Sequence, residues 1–443
     1  MSNFLQELKK KILVYDGSKG TMLQNMGLTS EECPELWNLE KPEKIKELYS
    51  SYINAGSNVI QTNTFGGNRA ILEKFNLQDK VDIINSTSIK LARDAAANKA
   101  FVAASIGPTG KLMEPSGDLT FEDAYNIFKE QVTAVTQAGA DILNFETISD
   151  LNEMRAAILA ARENSPLPII ASMTFEPNGY TLMGNSPASC ALICQSLGAD
   201  LLGANCSTGP EGLLKIIKEM HMFSTLPLCV KANAGLPVCS GDNTTYNETP
   251  ETFSRSVKDF IKNGVKLIGG CCGTTPEYIT SIITQLNQLK PESFNNLTKS
   301  SVGSFISSGS KYIDVGSNKK LNIGFFITNS NIDNFKNNIN DTNLDIVIDR
   351  VMELAGENYD IIYLNLDTID KPELLSSAIK TIQTYSKTPI VIQTKASQHL
   401  ESALRIYNGK AGVIVGDMDD YTFDLIISSK KYGSTIIDRS LVF

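Results

Sequence analysis

From residue 12 to about residue 286 the chain alternates short apolar runs with longer amphipathic stretches. The runs at 12–15, 58–62, 101–105, 142–145, 169–173, 201–204, 228–232 and 267–270 are brief and almost wholly apolar. That pattern predicts parallel strands buried on both faces. Between them, stretches such as 120–138 and 252–263 repeat apolar residues near i, i+3, i+4 and i+7, the period of a helix with one buried face. Eight strand–helix units over about 275 residues predict an α/β chain that begins with a (β/α)8 barrel. Residues 1–12 read as a lysine-rich amphipathic opening helix rather than a leader.

The pattern breaks after residue 288. Residues 289–318 are rich in Ser, Asn, Gly and Lys and read as a linker. The alternation then resumes, with strands expected near 322–327, 361–365, 390–393, 412–415 and 435–438. The expected organisation is therefore a barrel over 1–288, a linker over 289–318, and a smaller α/β domain over 319–443, about half a barrel. Half a barrel exposes strand edges and an apolar face. Cover is expected from the first barrel, from a second copy in a homo-oligomer, or from a partner.

Polar residues gather at the ends of the expected strands: Asp16-Gly17, Gln61-Thr62-Asn63, Glu146-Thr147, Thr174, Asn205-Cys206, Asn233 and Cys271-Cys272. Barrel enzymes build their sites at that edge. Cys206 on one strand end and Cys271 with Cys272 on another offer three thiols among glycines. A vicinal disulfide is the competing reading, but its eight-membered ring is strained. Cys190, Cys194 and Cys229 read as small buried hydrophobes. Cys239 lies in a nearby loop and is not counted as a ligand. Three thiolates suit a tetrahedral zinc with one position open. Such an electron-rich site is poor at making hydroxide and good at keeping a fourth sulfur donor as a thiolate, whose free pKa is about 8.5. Sulfur alkylation follows more naturally than hydrolysis.

Composition narrows the partners. A formal charge of −9 argues against nucleic acid and anionic membrane surfaces, and no apolar run approaches the ~20 residues of a membrane span. The eight cysteines all lie in the first 272 residues, without the dense spacing of a secreted scaffold, which fits a reducing cytoplasm. The two histidines, His221 and His399, are too far apart in sequence to suggest a histidine-based site.

Four motifs in order carry a resemblance: Asp16-Gly17-Ser18-Lys19-Gly20-Thr21-Met22, Gln61-Thr62-Asn63-Thr64-Phe65, Gly203-Ala204-Asn205-Cys206 and Gly269-Gly270-Cys271-Cys272-Gly273-Thr274-Thr275-Pro276. Together they resemble the homocysteine S-methyltransferase family over residues 5–288, most closely the homocysteine-binding module of cobalamin-dependent methionine synthases. The resemblance implies a TIM barrel, zinc on Cys206, Cys271 and Cys272, and L-homocysteine as the thiol. By position it makes Glu146 the acceptor of the substrate amino group and Asn233 a pocket residue, while Asp16 and Gly17 meet the amino-acid end. Lys19 stands where the family commonly has Met, so it meets the substrate carboxylate or points to solvent.

Residues 319–443 resemble the start of a folate-binding barrel in which Asn365 and Asp367 alone remain of the pterin contacts. The implied activity is zinc-dependent methyl transfer to homocysteine, giving methionine. The expected donor is a methyl-corrinoid protein carrying cobalamin separately. Alternative donors are S-methylmethionine, a betaine or methyltetrahydrofolate. The rival class is a non-catalytic, zinc-stabilised docking subunit.

Overall fold

The computed structural model describes residues 3–240, 243–289, 303–317, 320–338, 345–369, 371, 374–415 and 420–442. The chain divides into two compact units, Met1–Met183 with Gly198–Ser300, and Gly184–Leu197 with Ser301–Phe443.

The first unit is an eight-stranded parallel sheet: β1 Leu13–Val14, β2 Val59–Gln61, β3 Phe101–Ile106, β4 Ile142–Ile148, β5 Ile169–Met173, β6 Leu201–Asn205, β7 Leu228–Ala232 and β8 Val265–Gly270. From β2 to β8 each strand pairs with its sequence neighbour, and β8 pairs with β1. A parallel bridge between Tyr15 and Val59 closes the ring, so the TIM barrel read from the sequence is the observed fold. Helix starts follow local chemistry. Thr120 Oγ1 caps Phe121–Gln137 by accepting from Asp123 N at 3.1 Å. Pro210 and Pro276 occupy first-turn positions, where a missing N–H costs nothing.

The barrel interior changes character with height. Its floor is apolar: Leu13, Val59, Ala103, Ile142, Ile170, Leu201, Cys229 and Leu267 pack together, and Phe4 and Leu8 of the helix Asn3–Lys10 plug them from below. Two residues further along β2, β4, β5 and β7, where the side chain returns to the same face, Gln61, Asn144, Ser172 and Lys231 follow, all buried. A barrel floor of apolar side chains thus supports a buried polar storey. Between β7 and β8 the chain adds an antiparallel hairpin, Pro237–Ser240 with Asn243–Tyr246, that hydropathy did not signal. The side chain of Cys239 lies outside the described residues.

The second unit contains five parallel strands, β9 Ile323–Phe325, β10 Ile361–Leu364, β11 Ile390–Gln393, β12 Gly412–Ile414 and β13 Thr435–Ile437, in sequential order. Ile361, Tyr363, Val391, Ile414 and Ile437 share one cluster with Ile306, Ile313, Leu441 and Val442. One apolar cluster of this sheet is therefore covered from within the unit, a contributor absent from the expected cover by the first barrel, a second copy or a partner. That cover is supplied by a hairpin, Phe305–Ser308 with Tyr312–Asp314, and by the chain end. The hairpin falls inside the stretch whose composition reads as a linker; residues 290–302 of that stretch lie outside the described residues. Helix Pro187–Ser196, also in this unit, is buried at every position from Pro187 to Cys194, as an all-round apolar helix must be.

Candidate active site

Cys206 follows β6, and Cys271 and Cys272 follow β8. Their sulfur atoms all lie within 4.8 Å of one another, with Cys206 Sγ and Cys272 Sγ 3.8 Å apart. Backbone bonds pin both loops: Cys206 N donates to Lys231 O at 3.1 Å, and Cys271 N to Ala232 O at 2.7 Å. Cys206 itself adopts φ +65, a left-handed conformation that a side chain with Cβ rarely takes. Gly273, at φ +80, turns the chain immediately after Cys272.

The donor set fits zinc. Zn–S bonds of about 2.3 Å in a tetrahedron place sulfurs about 3.8 Å apart. Protonation behaviour agrees. Hydrogen bonds from Cys271 and Cys272 hold the Cys206 thiol far below its ordinary value, at about 3. The same interaction with Cys206 pushes Cys271 up to about 11 and raises Cys272 further. One thiolate forms readily, and the next two are opposed by its charge. A divalent cation held by all three sulfurs would offset that opposition.

Below the thiols the polar storey forms one connected network. Glu146 on β4 is 6% exposed and accepts hydrogen bonds from Ser105 Oγ and from Lys231 Nζ. Lys231 Nζ also donates to Gln61 Oε1 at 2.5 Å, and Asn144 Nδ2 donates to the same oxygen at 2.8 Å. Gln61 then donates through Nε2 to Asp16 Oδ1 at 3.0 Å and through its backbone N to Asp16 Oδ2 at 2.8 Å. Lys19 Nζ reaches Asp16 Oδ2 at 3.0 Å. Lys19 thus pairs with Asp16, an arrangement absent from the two sequence-based alternatives of substrate carboxylate or solvent.

Gly17 is packed because a Cβ there would lie 2.8 Å from Thr274 Oγ1 and 2.9 Å from the Tyr52 ring. Gly273 N donates to Thr21 Oγ1 at 3.0 Å, so the first and last motifs meet although some 250 positions separate them. Asn233 is buried, and its Oδ1 has no hydrogen-bond partner.

Three contributors had no role assigned from sequence, although Gln61 and Asn205 stand in its strand-end motifs. Asn205 spans the site, donating to Thr147 Oγ1 at 2.8 Å and to Cys271 Sγ at 3.8 Å, while its Oδ1 accepts from Thr147 N at 3.0 Å. Gln61 bridges two charged pairs. Lys231 is 1% exposed; burial opposes its charge, but Glu146 and Cys271 outweigh that and keep its pKa above the ordinary lysine value. The available signal was a lysine inside an otherwise apolar strand, two residues before Asn233.

The chain resembles methionine synthases of Mycobacterium leprae and Mycobacterium tuberculosis, each 29% identical, over 63% and 65% of this chain. The matches span about a quarter of those proteins' length, 25% and 26%. The metallated form of the homocysteine methyltransferase MmuM from Escherichia coli shares the fold, with a TM-score of 0.54 at 23% identity, covering 64% of this chain and 99% of that one. Its apo form gives a TM-score of 0.50 at 24% identity, covering 62% and 97%. The family profile described as homocysteine S-methyltransferase matches residues 13–286, and the chain belongs to that family.

Proposed function

We propose that this chain transfers a methyl group to the sulfur of L-homocysteine, giving methionine. The observation that carries the reading is the convergence of three thiols above a buried carboxylate, beside an amide oxygen with no partner. Cys206, Cys271 and Cys272 would hold zinc. Bound there, zinc supplies the Lewis acidity that favours the thiolate form of a sulfur ligand at neutral pH. Glu146 and Asn233 Oδ1 offer acceptors to the substrate ammonium, fixing the amino-acid end in a desolvated pocket. The methyl–donor bond breaks as the S–CH3 bond forms, and the thiol proton leaves to solvent.

The donor we favour is a methyl-corrinoid protein, supported by the likeness to methionine synthases. A thiol-rich centre of this kind works in a reducing compartment, the cytoplasm. The test is calorimetric titration of the zinc-loaded full chain with L-homocysteine, followed by methionine assays with methylcobalamin-loaded carrier protein, S-methylmethionine, a betaine and methyltetrahydrofolate. Absence of homocysteine binding defeats the reading. Turnover with a small onium donor alone replaces the corrinoid carrier.

A further inference from the structure

Lys231 has no place in the reading so far, yet it is among the most deeply buried charges in the molecule. Its Nζ touches Glu146 and Gln61, and it lies 5.0 Å above the centre of the Tyr15 ring. Taking an ammonium out of water is costly unless a partner and further hydrogen bonds compensate it. Here the compensation is specific. Lys231 takes one oxygen of Glu146, and Ser105 takes the other. A carboxylate offers about four acceptor positions. Two are thus used to fix the group, and two remain for a ligand with several N–H donors. Gln61 reinforces the arrangement, because its Oε1 accepts from Lys231 and Asn144 while its Nε2 donates to Asp16.

We infer that Lys231 is a positioning residue for substrate binding, which acts through Glu146 by holding its carboxylate charged-paired and oriented toward the homocysteine ammonium. This rests on the proposed role of Glu146 as the ammonium acceptor. A buried Glu146 without Lys231 would carry an uncompensated charge and turn toward whichever donor remained. The network also makes the site electrically balanced: Glu146 with Lys231 and Asp16 with Lys19 form two pairs bridged by one amide. A zwitterionic amino acid suits a balanced site better than a simple cation or anion does.

The decisive comparison is between E146Q, which leaves the Lys231 ammonium without its carboxylate, and the double variant E146Q/K231M, which is neutral at both positions. Calorimetry should show homocysteine affinity at least about fivefold weaker than wild type in E146Q. It should show less than about a twofold further change in the double variant, because Lys231 has nothing left to position. Zinc content and the melting temperature of both are measured in parallel to separate positioning from folding. A further tenfold loss in the double variant, at unchanged zinc content, means Lys231 touches the substrate itself and overturns the inference. An E146Q protein that binds as tightly as wild type removes the role of Glu146 and this inference with it. Wild-type protein that does not bind homocysteine defeats the functional reading first.

Discussion

The chain contains two parallel sheets whose strands end in very different ways. At the carboxyl ends of the barrel strands, groups with unused capacity sit buried or half-buried. Three thiols share a volume that admits only one easily formed thiolate, Glu146 has spare acceptor positions, and Asn233 Oδ1 has no partner. At the same edge of the five-stranded sheet, polar residues satisfy one another. Tyr363 OH donates to Gln393 Oε1 at 2.7 Å, and Asp367 accepts from Thr394 Oγ1 at 2.9 Å and from Lys395 N at 2.7 Å. Asn365, one of the two surviving pterin-like residues, accepts from Asp367 N at 3.2 Å. Both edges are polar. Capacity for chemistry depends on what stays unpaired at an edge, rather than on how polar it is.

The strongest test removes the feature that separates the two sheets. Cys206→Ala leaves two thiolates, and zinc should drop from about one per chain to near zero after dialysis against a chelator. Undiminished zinc in that variant would erase the contrast. Next comes the cover of each sheet. Phe4→Ala should destabilise the barrel and Ile306→Ala the second unit, each by about 2–5 kcal/mol, because both side chains are completely enclosed. Denaturant melts followed by unit-resolved hydrogen exchange read this directly. An Ile306→Ala protein as stable as wild type would mean that the hairpin does not close the open sheet.

Smaller effects sharpen the functional side. Glu146→Gln should weaken homocysteine binding by about 1–3 kcal/mol with zinc retained, whereas Gln393→Ala should leave that binding unchanged. Equal losses in the two variants would dissolve the distinction between the edges.

Acid–base behaviour should also differ. Burial raises the carboxyls of Glu35, Asp150 and Glu153 in the barrel, the last to about 7. Such groups hold their proton more tightly folded than unfolded, so barrel stability should fall as pH rises from the ordinary carboxylate range toward 7. In the second unit, a hydrogen bond from Lys431 lowers Glu401, and one from Ser440 lowers Asp438. Their contribution is present above the ordinary carboxylate range and is lost below it. Hydrogen exchange at pH 5 and 7, corrected for intrinsic rates, should show only the barrel loosening; a barrel steadier at pH 7 refutes the assignment. Last, methyltetrahydrofolate should give no saturable signal with the intact chain, since the edge that resembles a pterin site is already internally bonded. Micromolar binding would restore a folate role.

Much of this was legible in the sequence, and the exceptions have physical causes. Strand–helix alternation has a strong period, and eight repeats of it leave few folds to choose from. Three cysteines beside glycines at strand ends carry chemistry in their identity alone. Lys231 was hidden because a lone lysine in an apolar run reads as an edge or an accident until barrel closure shows which way it faces. The pairing of Lys19 with Asp16 depends on the tight loop between them, which motif comparison treats as two independent letters. The covering hairpin escaped because its alternation, Phe305-Ile306 and Tyr312-Ile313, is diluted by Ser and Gly that belong to its turn and flanks.

The left-handed backbone at Cys206 also limits which amino acids can stand there. Glycine, asparagine and aspartate accept that conformation at little cost, whereas alanine and serine do not. A saturation library at this position, scored on cellular abundance alone, should therefore return Gly, Asn and Asp ahead of Ala and Ser. That order inverts the ranking expected from resemblance to cysteine. It would also make aspartate, the one member of the tolerated set with a charged oxygen donor, the most accessible mutational route from a sulfur-only cluster to a mixed one.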